Sequence, residues 1–269
     1  MTKLFAFFII IRPINALLTS FAVFIGFWLS YADRSLLHLG LLITAASCAL
    51  GFGNAINDIM DFEGDKVNHP DRPLPSGQMT KHQAIFFCWI LAVISLLCSL
   101  FVSKIHFIGT LIPIVLLTAY SLFLKSTPLI GNILVSLLVS YPVLFGGMES
   151  NRFYILIVPA TYAFLLNFIR EIVKDIQDKK GDLEIGLKTT AILQEKNLLY
   201  LIIIIGIVYI PLLFIPFFTG HFHRLYLLIS ICIIIPLHLY WLLIFFSKKR
   251  ASHVKKISQL IKMEMLCGL

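Results

Sequence analysis

The stretch LLHLGLLITAASCALGFGNAINDIMDFEGD, residues 36–65, decides the fold. Residues 36–57 are almost continuously apolar. A bilayer-spanning helix needs about 20 such residues, whereas strands of a membrane barrel alternate apolar and polar with period two. The reading is therefore a membrane helix. It runs directly into Asn57, Asp58, Asp61 and Asp65. If the helix continues, carboxylates at i, i+3 and i+7 share one face. That face would sit where the span meets water, at the mouth of a helical bundle.

The same kind of run recurs along the chain, at about 14–31, 84–102, 106–124, 129–147, 153–169, 198–218 and 225–246. The whole chain fits this pattern. Of 269 residues, 59% are apolar and 13% charged, with a mean hydropathy of +0.92. Soluble chains carry roughly 25% charged residues, so a soluble enzyme is excluded. Gly and Pro are ordinary and five Cys show no metal spacing, which excludes collagen-like, disordered and disulfide-framework classes. The fold class read from the sequence is an all-α polytopic membrane bundle in a single domain, 1–269. Its pseudo-halves are about 1–126 and 127–269. No cleavable signal peptide is read in the apolar stretch from Leu4 to Tyr31, which is too long and is interrupted by Arg12 and Pro13. Residues 257–269 are too short to span alone, so they read as an interfacial helix or the start of a further span.

The net charge of +8 would suggest nucleic acid for a soluble chain. Here it follows membrane orientation. If the N-terminus lies on one face, the opposite face keeps only Arg34, Lys104, Arg152 and Arg224 of the 22 Lys and Arg. The cation-rich face is expected in the cytoplasm.

Acids contribute little to topology, yet 11 of the 14 lie in 58–71 and 171–195, both on that face. The second segment repeats the first spacing: Arg170, Glu171 and Lys174 lead into Asp175, Asp178 and Asp182. Asp175 comes 117 residues after Asp58, or four spans later. This suggests two similar halves that place equivalent triplets opposite one another. Like charges on one helical face repel, and beside a membrane they lose solvation. Residues 58–82 hold five acids against three bases, Lys66, Arg72 and Lys81. Lysines alone could offset such a cluster, but that imbalance favours a divalent metal. Mg²⁺ prefers one or two carboxylates with waters and substrate phosphates, so the pattern points to a diphosphate held through Mg²⁺.

Arg72 lies in the loop from Asn68 to Gly77, stiffened by Pro70, Pro73 and Pro75. Its guanidinium suits bidentate phosphate contact. Lys125 ends the fourth run and Arg12 interrupts the first, both on the same face. Spacing alone leaves them equally readable as membrane anchors. Asn68 and Lys174, beside the acids, complete the candidate substrate contacts. A divalent-cation transporter is the rival from another class, but transporter sites lie near the bilayer midplane. A structural scaffold is a second rival. His221 and His223, on the opposite face from the aspartates, read as loop histidines.

At these residues the chain resembles the UbiA-type intramembrane prenyltransferase superfamily. Its NDxxDxxxD motif is similar to Asn57, Asp58, Asp61 and Asp65, and its DxxDxxxD motif to Asp175, Asp178 and Asp182. Its RPxPSG element matches Arg72 to Gly77, and its YSxxLK element Tyr120 to Lys125. The resemblance covers nearly the whole chain. It implies nine helices around a central cavity, a pattern from which this chain is expected to depart in its ninth helix, cut short after Leu269. It also implies transfer of a prenyl chain from a polyprenyl diphosphate to a lipophilic acceptor within the membrane. Arg170 to Asp175, Gly181-Asp182 and Gly186 to Thr189 look most like the ether-lipid branch. Members of that branch add a geranylgeranyl group to geranylgeranylglyceryl phosphate. Branches that prenylate aromatic acceptors in quinone biosynthesis share the aspartate pattern. On this resemblance Mg²⁺ is held by Asp61, Asp65, Asp178 and Asp182, aided by Asn57, Asp58 and Asp175. Arg72 and Lys125 bind the diphosphate, and Tyr120 lines the cavity.

Overall fold

In a computed structural model, residues 3–30, 35–184, 186, 189–247 and 250–268 are described. Arg34, Leu187, Lys188 and Leu269 lie outside them, and so does the side chain of Asp182. Among the described residues the elements are all helices, joined by loops, with no strand. In chain order the helices are α1 (Lys3–Ile10), α2 (Pro13–Leu29), α3 (Leu36–Met60), α4 (Phe62–Asn68), α5 (Lys81–Val102) and α6 (Lys104–Ala119). They continue with α7 (Ile130–Gly146), α8 (Phe153–Glu184), α9 (Glu195–Leu212), α10 (Ile215–Phe218), α11 (Arg224–Ile229), α12 (Ile235–Phe245) and α13 (Arg250–Gly268). Two π-helical turns, Tyr120–Leu124 and Ser230–Ile234, extend α6 and α11.

Six helical stretches are long and apolar enough to cross a membrane: Leu36–Met60, Lys81–Val102, Lys104–Leu124, Phe153–Lys179, Glu195–Phe218 and Arg224–Phe245. Pro13–Leu29 and Ile130–Gly146 are apolar but shorter. Phe86, Trp89 and Phe101 stand exposed on α5, as expected of a helix whose outer face meets lipid and not water.

The chain forms two compact units. The first comprises Met1–Ser126, Tyr141–Leu156 and Gly181–Leu187; the second Thr127–Ser140, Ile157–Lys180 and Lys188–Leu269. In the first, α3 packs against α2, α5 and α6. One apolar cluster there joins Ile10, Phe52, Leu74, Met79 and Leu91, and another joins Val23, Phe27, Leu42 and Phe145. Small residues let backbones meet. A Cβ on Gly26 would collide with the Val143 carbonyl oxygen, and one on Gly146 with that of Val23. Close backbone approach of this kind is how membrane helices gain packing without a hydrophobic driving force.

The second unit is built around Ile169, Ile202, Tyr209, Trp241, Phe245, Ile257 and Ile261. Here α13 corrects the sequence reading of the tail. The helix begins at Arg250, seven residues before the apolar run, and packs along α12. Glu264 is fully buried and accepts hydrogen bonds from Trp241 Nε1 at 2.6 Å and His238 Nδ1 at 2.8 Å. A carboxylate with two such partners is stable in a low-dielectric core, and it fastens the last helix.

Two substitutions test this packing. Gly26→Ala is expected to lower the melting temperature in detergent, whereas Gly40→Ala, with open space around its Cβ, is expected to leave it unchanged or raise it. Glu264→Ala should destabilise by about 1–3 kcal/mol for each donor left unpaired, read as a loss of midpoint in thermal unfolding.

Candidate active site at the end of α3

The first acidic segment is not one continuous helix. α3 ends at Met60, Asp61 caps it with φ −85° and ψ 4°, and α4 starts at Phe62. The backbone bonds Asp61 N–H to Asn57 O (2.9 Å) and Asp65 N–H to Asp61 O (2.8 Å) bridge the break. The three carboxylates therefore stay grouped although the helix is interrupted.

Their charge is balanced by cations drawn from three distant elements. Arg12 Nη2 donates to Asp58 Oδ1 at 2.7 Å. Arg72 Nη1 donates to Asp65 Oδ2 at 2.5 Å and reaches Asp58 Oδ1 at 3.4 Å. Lys125 Nζ pairs with Asp61 Oδ2, which also accepts from Asn57 Nδ2 at 2.8 Å. The imbalance read within 58–82 thus vanishes in three dimensions. Arg12 and Lys125 lie outside that window, and three cations meet three aspartates. Unneutralised charge no longer argues for a metal. Asp58 and Asp65 are buried, and buried carboxylates need such partners.

Each cation is delivered by a local irregularity. Arg12 sits between α1 and α2 in the left-handed region, φ 59° and ψ 74°, with Pro13 opening α2. A non-glycine residue there costs on the order of 1–3 kcal/mol and persists only when its surroundings impose it. Asn54 Nδ2 holds the neighbouring Ile11 carbonyl at 2.9 Å. Lys125 comes just after the π-turn, its N–H bonded to Tyr120 O at 3.0 Å. The extra residue in that turn rotates Lys125 by about 100° about the helix axis. Tyr120 opens the turn and is partly buried.

The loop 72–77 explains its own sequence. Leu74 is buried in the first unit's core, and Ser76 Oγ donates to the Arg72 carbonyl at 2.7 Å. Gly77 has φ +74°, a conformation that favours glycine. Arg72 is thus fixed from three sides. Asn68 ends α4 partly buried, with no contact to the aspartates among the described residues.

The second segment is continuous, as read: Asp175 and Asp178 both lie on α8. The backbone of Asp182 continues it, while its side chain falls outside the described residues. The ion pair that Lys174 makes among the described residues is with Glu171, at 2.9 Å, and Arg170 joins the same carboxylate at 3.1 Å. Asp175 Oδ2 instead accepts from Asn132 Nδ2 at 2.9 Å and from the Thr190 N–H at 3.3 Å. Asn132 and Thr190 were missed in the sequence. The only signal was an amide at the start of an otherwise apolar run.

The donor set suits a hard cation. Mg²⁺ takes oxygen ligands and rarely a full protein cage. Asn57 Oδ1 is buried without a hydrogen-bond partner. Asp61 Oδ1 and Asp65 Oδ1 lie outside the ion pairs above, among the described residues. Also among the described residues, no three His, Cys, Asp or Glu converge as a cage. The oxygens present fit Mg²⁺ shared with substrate phosphates.

A polytopic helical membrane protein with a cation-lined acidic cluster at a span's end is the class these features define. Residues 19–266 match the UbiA prenyltransferase family, and the chain belongs to it. It is 33% identical over 245 residues to a digeranylgeranylglyceryl phosphate synthase of Thermococcus gammatolerans, covering 90% of this chain and 88% of that one. It is 31% identical to the enzyme of that name from Methanosphaera stadtmanae, over 96% of this chain and 94% of the other. A solved structure concerned with digeranylgeranylglyceryl phosphate synthase in membranes superposes with a TM-score of 0.79 at 29% identity, covering 99% of this chain and 96% of that one. A UbiA homologue from Archaeoglobus fulgidus bound to GPP and Mg²⁺ shares the fold, with a TM-score of 0.67 at 17% identity over 98% of both chains.

Burial raises the Asp65 carboxyl above its ordinary value of 3.8, and Arg72 opposes that shift. The folded chain then holds this proton more tightly than the unfolded one. Stability from the protonated form is present below 3.8 and is lost as pH rises through the raised folded value. The melting temperature of the wild type relative to Asp65→Asn should therefore fall as pH rises across that window. A difference that widens in favour of the wild type would contradict the assignment.

Proposed function

We propose that this prenyltransferase moves a geranylgeranyl group from its diphosphate to geranylgeranylglyceryl phosphate, with Mg²⁺, in the cytoplasmic membrane. The observation that carries the reading is the cluster of three cations seated on Asp58, Asp61 and Asp65. Arg12, Arg72 and Lys125 are held ready by carboxylates that a magnesium-bound diphosphate replaces charge for charge. The relatives named for this synthesis support the donor and acceptor. The homologue bound to GPP and Mg²⁺ supports the metal. The two shorter apolar helices, Pro13–Leu29 and Ile130–Gly146, join the six longer stretches as further spans. With α13 they would bring the bundle to the eight to nine helices expected. The Lys and Arg asymmetry supports a cytoplasmic site.

On the family's motifs, Asn57, Asp58, Asp61 and Asp65 would hold the metal from the first motif, and Asp175, Asp178 and Asp182 from the second. When bound, Mg²⁺ neutralises the charge that grows on the diphosphate as the allylic C–O bond breaks. Arg12, Arg72 and Lys125 donate charge-assisted hydrogen bonds to phosphate oxygens. The fixed loop at 72–77 spares Arg72 any reorganisation at that moment, which is where electrostatic catalysis is strongest. The apolar span around the site excludes water, which would quench an allylic cation. The ring of Tyr120 offers its face to that cation. The acceptor's glycerol hydroxyl attacks, and its proton passes to the departing diphosphate or to a carboxylate.

The test is product analysis. Purified protein with Mg²⁺ and labelled geranylgeranyl diphosphate is offered glycerol phosphates, hydroxybenzoate and naphthoate. Prenylation of geranylgeranylglyceryl phosphate is expected, and prenylation of the aromatic acceptors alone would overturn the acceptor assignment. Asp61→Asn should lower turnover about 10²–10³-fold with little change in melting temperature.

A further inference from the structure

Asp175, in the second acidic segment, is held by a buried network whose hydrogen-bond donors among the described residues are all neutral. Asn132 is 7% exposed and Thr190 fully buried. Thr190 Oγ accepts from the Leu129 N–H at 2.9 Å and donates to Asn132 Oδ1 at 2.5 Å. Since Asn132 Oδ1 accepts, its Nδ2 must point to Asp175 Oδ2, as it does at 2.9 Å. The Thr190 N–H adds a second donor to the same oxygen. Behind Asn132, Ser136 Oγ donates to its backbone carbonyl at 2.6 Å and accepts from Asn167 Nδ2 at 3.3 Å. Leu129 stands at φ 63° to present its N–H, a strained conformation that persists only when the surroundings impose it. The Leu129 N–H can only donate and the Asp175 carboxylate only accepts, so the bonds between them run in one direction.

From this geometry we infer that Asn132 and Thr190 are positioning residues for the reaction. They pin Asp175 through Oδ2 and leave Oδ1 outside the network, among the described residues, as the oxygen offered to the magnesium–diphosphate. The inference rests on the proposed function but adds two residues to it. Neutral donors suit the task. A cation on Asp175 would cancel the charge it brings to the metal, whereas an amide and a hydroxyl orient the carboxylate and keep that charge. The network also ties the chain at Thr190, just past the second motif, back to α7.

The experiment separates orientation from folding. Thr190→Ser keeps the hydroxyl and should behave as wild type, while Thr190→Val and Asn132→Ala remove donors. Mn²⁺ binding, read by electron paramagnetic resonance with an unreactive geranylgeranyl thiodiphosphate present, should weaken about 10–100-fold in both, the range for residues that orient metal ligands. Thr190→Ser should bind as wild type does. A double-variant cycle adds the decisive arm. If Asn132 acts through Asp175, Asn132→Ala should cost little more in an Asp175→Asn background. Additive losses of Mn²⁺ affinity, or unchanged affinity in Asn132→Ala and Thr190→Val, would overturn the inference. If Thr190→Val fails to fold, seen as a lost melting transition, Asn132→Ala and the cycle still decide. Unaltered binding in these variants beside an active wild type rejects the positioning role alone. A wild type that transfers no prenyl group rejects the function itself.

Discussion

A carboxylate at the end of an apolar helix must find a partner, and this requirement organises the first unit. Asp58 and Asp65 are 2% and 5% exposed, so neither is solvated by water as an isolated ion would require. Their partners are remote in sequence: Arg12 lies 46 residues before Asp58. The features that look irregular in isolation are the means of bringing those partners in. The chain breaks at Arg12, tightens through a proline-stiffened loop at Arg72 and takes a π-turn before Lys125. Each departure from regular helix ends in a cation on an aspartate. Strain at Arg12 is tolerable because the ion pair and the Asn54 bond to Ile11 hold it.

The same requirement decides which parts could be read from the sequence. The helices were legible because runs near 20 apolar residues have few other solutions. The aspartate motifs were legible because acids at that spacing are rare beside a membrane. Their neutralisation was not legible, because a charge count over 58–82 sees only neighbours in sequence. Arg12 and Lys125 could equally be anchors until the fold brought them to Asp58 and Asp61. Helix ends were also hidden. α8 runs on to Glu184 through a charged stretch, helped by the Glu171–Lys174 pair one turn apart. α13 starts among lysines, and only the burial of Glu264 against His238 and Trp241 shows why it packs. The partner of Lys174 was hidden too, since its place beside Asp175 in sequence gave no sign of its ion pair with Glu171.

The two aspartate motifs look equivalent in sequence, yet their leading residues, Asp58 and Asp175, are satisfied by opposite means. The first is neutralised by guanidinium and ammonium groups, so an incoming polyanion there exchanges one anionic partner for another. The net electrostatic gain of such an exchange is small, because the cations were already paired. In the second, Arg170 and Lys174 are taken by Glu171, and Asp175 is held by neutral donors. Among the described residues, no cation is hydrogen-bonded to Asp175. On the proposed function, binding energy from metal should come more from Asp175, and direct phosphate contacts more from the first cluster. The repeated sequence pattern conceals a division of labour that depends on which side chains the fold delivers to each aspartate.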